Sequence, residues 1–336
     1  MTKLDLSEFP RARLAHRPTP LEAMPNLARA IGVEGLFVKR DDCTGLAMGG
    51  NKARQLEFYF GDALARDATV VLITGAVQSN YVRSTAAAAA KLGLRCVVQL
   101  EDRVEGMESE YHQSGNALLD RLFGAEIHTY PDGEDEEGAD KELDRMAAEL
   151  TAQGERPYVI HLSAAYPPLG ALGYVEAAGE LLEQSSAEGI DFRSVVLASG
   201  SAQTHAGLLA GFHALGRHDI RVYGICVRRR AELQGLRVLE CASAVEKLLG
   251  LPSRVSADEV VTIDRHLGEG YGLETPESIE AILLAARQEG LLLDPVYTGK
   301  ALAGAVELAR SGAFNGEPAV FLHTGGTPAL FGYRMA

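Results

Sequence analysis

Lys52 follows two glycines and an asparagine in the run Met48-Gly49-Gly50-Asn51-Lys52-Ala53-Arg54. Glycines let backbone approach closely, and a lysine held beside such a turn can have its amine stripped of water. Loss of hydration disfavours the charged form, and a neutral amine attacks carbonyl carbon. A lysine at an open helix start would instead be an ordinary solvated residue, so the chemistry depends on what shares its surroundings. In Thr74-Gly75-Ala76-Val77-Gln78-Ser79-Asn80-Tyr81, Ser79 and Asn80 are suited to cap a following helix. The run Ala198-Ser199-Gly200-Ser201-Ala202-Gln203-Thr204-His205-Ala206-Gly207 offers small hydroxyls and backbone N–H groups freed by glycine. That donor set suits a phosphate, although a well-capped turn with no ligand would look the same. The loop has neither G-x-x-x-x-G-K-[ST] nor G-x-G-x-x-G with an acid about 20 residues on, which argues against ATP, GTP and dinucleotides.

These loops need elements to hold them. Short β-rich apolar runs at 36–39, 70–74, 95–100, 125–130, 158–162, 194–198, 221–227 and 319–323 alternate with helical stretches. The helices are expected at 52–66, 79–92, 111–123, 141–153, 171–184, 204–215, 276–289 and 299–311. Strand–helix alternation predicts an α/β fold with parallel sheets, whose ligands bind where strands end and helices begin. All three loops fall at such junctions. The acidic stretch 131–140 reads as a solvated loop entering a helix.

With 336 residues the chain is long enough for two domains, and the 46% hydrophobic and 23% charged residues are those of a globular protein. Its net charge of −14 repels nucleic acid and anionic lipid, so neither is expected as a partner. Cys43, Cys96, Cys226 and Cys241 have no zinc-like spacing, and no metal is expected. The absence of a signal-like N-terminus or a run of about 20 apolar residues predicts a cytoplasmic protein with no membrane span.

Taken in order, Lys39-Arg-Asp-Asp42, Gly49-Gly-Asn-Lys52, Gln78-Ser-Asn80, Ser199-Gly-Ser201, Asp294-Pro-Val-Tyr-Thr-Gly-Lys300 and His323-Thr-Gly-Gly326 resemble the pyridoxal-phosphate enzymes of the tryptophan-synthase-β fold group. Within that group the chain is similar to the family of D-cysteine desulfhydrase, L-cysteate sulfo-lyase and 1-aminocyclopropane-1-carboxylate deaminase. The resemblance runs from Pro18 to Tyr333 and implies fold type II: two open, twisted, mostly parallel sheets flanked by helices, with pyridoxal 5'-phosphate in the interdomain cleft. Residues 1–54 and 165–336 would form a large domain and 55–164 a small one, in a homodimer. Lys52 would be the Schiff-base lysine. Ser199, Gly200, Ser201, Ala202 and Thr204 would hold the phosphate, Asn80 the phenolic oxygen, and Tyr297 and Thr324 the ring. Ser79 would meet the substrate carboxylate or assist proton transfer, and Tyr271 would face the substrate, joining Lys52 and Tyr297 as catalytic candidates.

The cofactor is an electron sink for a carbanion at Cα, and a leaving group on Cβ then departs, ultimately giving pyruvate and ammonia. The resemblance implies an acid after the tyrosine of Asp-Pro-Val-Tyr and a later leucine in cyclopropane deaminases, where this chain has Thr298 and Thr324. A threonine supplies no counter-charge to the ring nitrogen, which favours expulsion of a good leaving group from a cysteine-like amino acid over ring opening. D-Cysteine is the expected substrate and L-cysteate the alternative. A dehydrogenase lacks its fingerprint here, and a catalytically silent relative would lack the full set of site residues. The chain departs from its relatives at Tyr81, where many have His or Gln. It departs again at His161-Leu-Ser-Ala-Ala-Tyr-Pro-Pro-Leu-Gly170, where they have a Gly/Ser-rich turn. Tyr81, Ser163 and Tyr166 are therefore expected to face the substrate, Tyr166 as a wall stiffened by two prolines. Arg228-Arg229-Arg230 reads as a solvated basic turn or as a group reaching an anionic substrate.

Overall fold

Every residue of Val70–Ala76 is buried, as a strand covered on both faces requires. The structure is a computed structural model and describes residues 4–334 apart from 105, 134, 164 and 253. Its strands are β1 (Leu21–Ala23), β2 (Leu36–Lys39), β3 (Val70–Ala76), β4 (Arg95–Glu101), β5 (Glu126–Tyr130), β6 (Pro157–Ile160), β7 (Ser194–Ser199), β8 (Arg221–Cys226), β9 (Val261–Ile263) and β10 (Ala319–Leu322). The helices are α1 (Pro25–Ile31), α2 (Lys52–Ala65), α3 (Asn80–Leu92), α4 (Ser109–Gln113), α5 (Gly115–Leu122), α6 (Glu136–Ala152), α7 (Leu172–Glu188), α8 (Gln203–Ala214), α9 (Ala231–Leu248), α10 (Pro276–Glu289) and α11 (Thr298–Arg310).

Two sheets result. The larger has the order β1-β2-β10-β7-β8-β9 and the smaller β5-β4-β3-β6. All pairings are parallel except β1 with β2. Leu36, Val38, Val196, Ile225 and Phe321 pack one face of the larger sheet against α1, α10 and α11. Val195, Leu197, Val222, Val320 and Leu322 pack the other against α7, α8 and α9. In the smaller sheet Val71, Ile73 and Val98 face α2 and α3, while Val70, Leu72 and Val97 face α6. Burial on both faces leaves only the strand ends as places for a ligand. The β3–β4 register, Val70↔Arg95 to Ala76↔Glu101, ends both strands level. β7 and β8 likewise end at Ser199↔Cys226. The loops carrying Ser79, Ser199 and Arg228 thus emerge at C-terminal strand ends, as does Thr324 after β10.

Four elements went unexpected in the sequence, and one expected helix is two. β1 and β9 are three-residue edge strands, too short for an alternating pattern to declare itself. α1 is a seven-residue helix, and α9 buries Gln234, Val238, Ala242, Val245 and Glu246. Two polar residues in α9's buried stripe, with Leu233 and Leu236 exposed, blur its amphipathic signal. The helix expected at 111–123 breaks at Ser114, because Gly115 turns with φ +58° and a Cβ there would lie 2.5 Å from Gln78 Oε1. The acidic stretch is less solvated than expected. Asp135 caps α6 by accepting from the Gly138 N–H at 2.9 Å, and Glu136 reaches three arginines. Residue 134 lies outside the described residues.

Candidate active site

The start of α2 is locked from below. Arg54, fully buried, donates from Nε to Asp41 Oδ2 at 3.0 Å, from Nη2 to Asp41 Oδ1 at 2.9 Å and from Nη1 to Glu180 Oε2 at 3.0 Å. Lys39 Nζ joins Glu180 at 2.5 Å, and Tyr174 donates its hydroxyl to Asp41 at 2.6 Å. Within the Lys39-Arg-Asp-Asp42 run, Asp41 is therefore the buried counter-charge to Arg54 of the helix that carries Lys52. From above, Gly49 and Gly50 adopt φ +70° and +113°. A Cβ at Gly49 would fall 1.8 Å from the Asp42 carbonyl oxygen, and one on Gly325 would fall 2.6 Å from Gly50 Cα. Backbone against backbone at these glycines is what admits the close turn. Arg83 of α3 holds the same turn through the carbonyls of Ala47 and, at 3.1 Å, Gly49.

Lys52 thus stands at the floor of a cleft, its Nζ 3.3 Å from Gln55 Oε1 and 4.6 Å from the centre of the Tyr81 ring. Burial lowers its pKa to about 8. Opposite it, β7 delivers Ser199, Gly200, Ser201 and Ala202 to the cleft, and Ala202 turns at φ +73° into α8. Thr204 Oγ1 accepts from Asn51 Nδ2 at 3.0 Å and from Gln55 Nε2 at 2.9 Å, so its own proton is left to donate. The Ser199 hydroxyl is taken up beneath the loop, accepting from Gln234 Nε2 at 2.9 Å and 3.3 Å from His205 Nδ1. Ser79 caps α3, its Oγ accepting from the N–H groups of Tyr81 and Val82 at 3.2 and 3.3 Å. Asn80 Oδ1 accepts from Asn116 Nδ2 at 2.9 Å, which leaves the Asn80 amide N–H₂ to point donors at a ligand oxygen. Tyr271 and Tyr297 share a hydroxyl–hydroxyl bond of 2.7 Å. Arg103, paired with Glu101 at 2.7 Å, lies with its guanidinium carbon 5.6 Å from the centre of the Tyr271 ring.

These groups suit an aromatic aldehyde bearing a phosphate and a phenolic oxygen. The Lys52 amine would meet the carbonyl, the start of α8 with its free threonine proton would take the phosphate, and the Asn80 amide would meet the phenolic oxygen. Pyridoxal phosphate has this combination, and Lys52, the Ser199–Thr204 loop and Asn80 are the residues that would hold it.

Of the expected residues, Lys52, Ser79, Asn80, Tyr81, Ser163, Ser199, Gly200, Ser201, Ala202, Thr204, Tyr271, Tyr297 and Thr324 all border this cleft. Tyr166 does not. Its ring stacks on His161 at 3.7 Å and 7°, is 39% exposed, and borders a neighbouring groove. His161 is held between Asp140 and Asp144 at 3.5 and 3.2 Å, and that anchor draws the stiff loop away from the cleft. Thr298 is a second correction. Its hydroxyl donates to Asp294 Oδ2 at 2.7 Å, away from the cleft, whereas Asp294 borders it. An acid is therefore near, but its oxygens are filled by the Thr298 hydroxyl and the N–H groups of Val296, Tyr297 and Thr298 at the start of α11. The cleft also gathers residues that sequence reasoning missed, Glu101, Arg103, Glu136 and Arg237. Glu136 lies in the acidic stretch read as solvated, and the Glu101-Asp-Arg103 cluster at a strand end is the signal that could have found Glu101 and Arg103. Arg228 and Arg229 border the cleft and Arg230 is exposed.

A sequence model of the family described as "Pyridoxal-phosphate dependent enzyme" matches residues 12–325. The chain is 44% identical over 330 residues, 98% of each chain, to a D-cysteine desulfhydrase of Salmonella choleraesuis, and equally to one of Salmonella typhi. Among solved structures, an ACC deaminase homologue superposes with a TM-score of 0.86 at 40% identity, over 98% of this chain and 95% of the other. O-ureido-L-serine synthase shares the fold, with a TM-score of 0.66 at 16% identity over 95% and 92% of the two chains.

Proposed function

The chain belongs to the family of pyridoxal-phosphate dependent enzymes, and from that premise we propose that it is a carbon–sulfur lyase acting on D-cysteine. The overall change consumes water and gives pyruvate, ammonia and sulfide. What carries the reading is the joining of two facts: whole-length identity of 44% to D-cysteine desulfhydrases, and Lys52, Ser79, Asn80, Tyr271 and Tyr297 brought to one cleft.

When bound, pyridoxal phosphate supplies an electron sink for negative charge at the substrate Cα. The protein does the rest. The Ser79 hydroxyl proton, left over while Oγ accepts from Tyr81 and Val82, and the Asn80 N–H at the start of α3 receive the substrate carboxylate. The Lys52 amine, with a pKa of about 8, is mostly protonated at pH 7 and substantially unprotonated above pH 8, and its neutral form takes the Cα proton. The hydrogen-bonded Tyr271–Tyr297 pair keeps its protons, since burial raises both pKa values, and can deliver one to the departing thiolate. Thr324, a hydroxyl at the cleft and not an acid, would supply no counter-charge to the cofactor and so keeps the sink modest, enough for a thiolate leaving group.

We further read the chain as a cytoplasmic homodimer with a small domain over 55–164 inserted in a large one. In support, β3 to β6 form one sheet, the other six strands form the second, and all four cysteines are free. Residue 164 itself lies outside the described residues. The test of function is to offer D-cysteine, L-cysteine, L-cysteate and the cyclopropane amino acid separately, assaying pyruvate, sulfide and sulfite. Sulfide and pyruvate from D-cysteine are expected, lost in Lys52→Ala together with the bound-cofactor absorbance. Sulfite from L-cysteate with no sulfide from D-cysteine would replace this substrate by the other.

A further inference from the structure

Four arginines line the cleft, three of them on the wall built by the larger sheet. Arg228 and Arg229 follow β8, Arg237 lies on α9 and Arg103 follows β4, and all four border the cleft. Glu101 is committed to Arg103 and to the Thr74 hydroxyl, each at 2.7 Å. Asp140 faces His161 Nδ1 at 3.5 Å. Among the described residues Glu136 is the carboxylate in contact with the other three: it contacts Arg229, lies 2.5 Å from Arg228 Nη1 and 3.3 Å from Arg237 Nη1. One carboxylate is thus shared by three guanidiniums, inside a chain of net charge −14. Arg228 is the most enclosed of the three, 10% exposed, and its Nε is buried with no hydrogen-bond partner. A buried N–H without an acceptor is costly, and a ligand oxygen would relieve it.

Glu136 comes from α6 on the smaller sheet, whereas its arginines stand on the larger. Its carboxylate sits where an anionic ligand in the cleft would meet the same forks. We propose that Arg228, flanked by Arg229 and Arg237, is a subsite for a second oxyanion on the substrate's side chain, a carboxylate or sulfonate, and that Glu136 is the internal counter-ion this group displaces. The proposal rests on the lyase reading for its substrate's amino-acid end and deepens it. The substrate class then extends from D-cysteine to β-substituted amino acids whose side chain ends in an acid. Arginine suits this role because its planar fork takes two oxygens of one acid group at once.

The experiment compares, on the holoenzyme, kcat/KM for both enantiomers of S-carboxymethylcysteine and of cysteate with that for the neutral S-propylcysteine. The first two separate carboxylate from sulfonate recognition. The acidic substrates are expected to be favoured at least tenfold, a preference of about 1.4 kcal/mol. Arg228→Gln is expected to cut that ratio roughly tenfold or more, and Glu136→Gln to raise it. Calorimetric binding of succinate against butyrate reads the subsite without turnover, with succinate the tighter ligand and its advantage lost in Arg228→Gln. Equal treatment of acidic and neutral ligands would overturn the proposal. So would an Arg228→Gln variant that weakens cofactor binding and leaves the ratio intact, because Arg229 also donates to the Gly200 carbonyl at 3.2 Å and the cluster would then serve the phosphate. Arg228-dependent succinate binding with no pyruvate from any substrate would keep the subsite and discard the lyase reading. Sulfide from D-cysteine without a succinate preference would do the reverse.

Discussion

At Lys52 the cost of burial and the usefulness of the amine have one cause, the loss of water around a charge. With an unfolded-state pKa of 10.5 and a native value of about 8, the native chain holds fewer protons than the unfolded one between those values. Stability therefore rises with pH across that window, and below pH 8 the full cost of a buried ammonium is carried. In cofactor-free protein, Lys52→Met is expected to raise stability at pH 7 by about 2–3 kcal/mol. The gain should shrink to nothing as pH climbs from 8 to about 10.5, read from urea midpoints at each pH. A constant gain would mean that the amine is hydrated in the cleft. Residues such as Lys52, Ser79, Asn80 and Thr204 were legible in the sequence because glycines, hydroxyls and amides at strand–helix junctions have few other uses. Tyr166 was not, because its direction depends on His161 five residues earlier and on two aspartates of α6 that hold that ring.

Helix α2 is held less by its own propensity than by the ion network under its first turn. Arg54→Met would leave the carboxylate of Asp41, fully buried, with hydrogen bonds among the described residues only from the hydroxyls of Tyr174 and Thr19. Removing one partner of a buried pair typically costs about 3–5 kcal/mol, and that loss is expected in urea unfolding. Cofactor affinity should fall with it, since the helix start that aims Lys52 loses its anchor. Gly49→Ala should act on the same turn from the other side, because its Cβ would meet the Asp42 carbonyl at 1.8 Å at a φ of +70°. Weakened cofactor binding by fluorescence titration is the expected result, and full affinity would show that the turn can shift without moving Lys52. The elements themselves were legible wherever a strand was buried on both faces, as β3 is, or a helix kept a clean apolar stripe. α9 escaped because Gln234 and Glu246 sit in its buried stripe. Both are there for polar partners: Gln234 donates to the Ser199 hydroxyl at 2.9 Å, and Glu246 accepts the N–H groups of Arg254 and Val255. A buried side chain chosen for its hydrogen bonds erases the hydrophobic period that would have announced its helix.

Across the whole molecule, Glu136 is the point where a helix of the smaller sheet is tied to three arginines of the larger one, across the cleft that holds Lys52. That tie is partly exposed, so each ion pair in it is screened by water and salt. Together, however, they offset repulsion among three guanidiniums crowded on one wall, two of them drawing on the same carboxylate oxygen. Glu136→Gln is accordingly expected to lower stability by about 1 kcal/mol at low ionic strength. The deficit should close as salt rises toward roughly 0.5 M, where the screening length falls to a few ångströms and free anions can stand between the arginines. Sulfate should close it at lower concentration than chloride, since a fork that accepts a carboxylate also accepts a tetrahedral oxyanion. Matched urea titrations in the two salts decide the matter. If the variant were as stable as the parent at every ionic strength, the arginines would already be answered by water, and the two sheets would owe their relative position to packing alone. A salt-sensitive deficit means instead that cleft geometry responds to the charge of what enters it, so that filling the cleft with an anion and holding its two walls together are one electrostatic event.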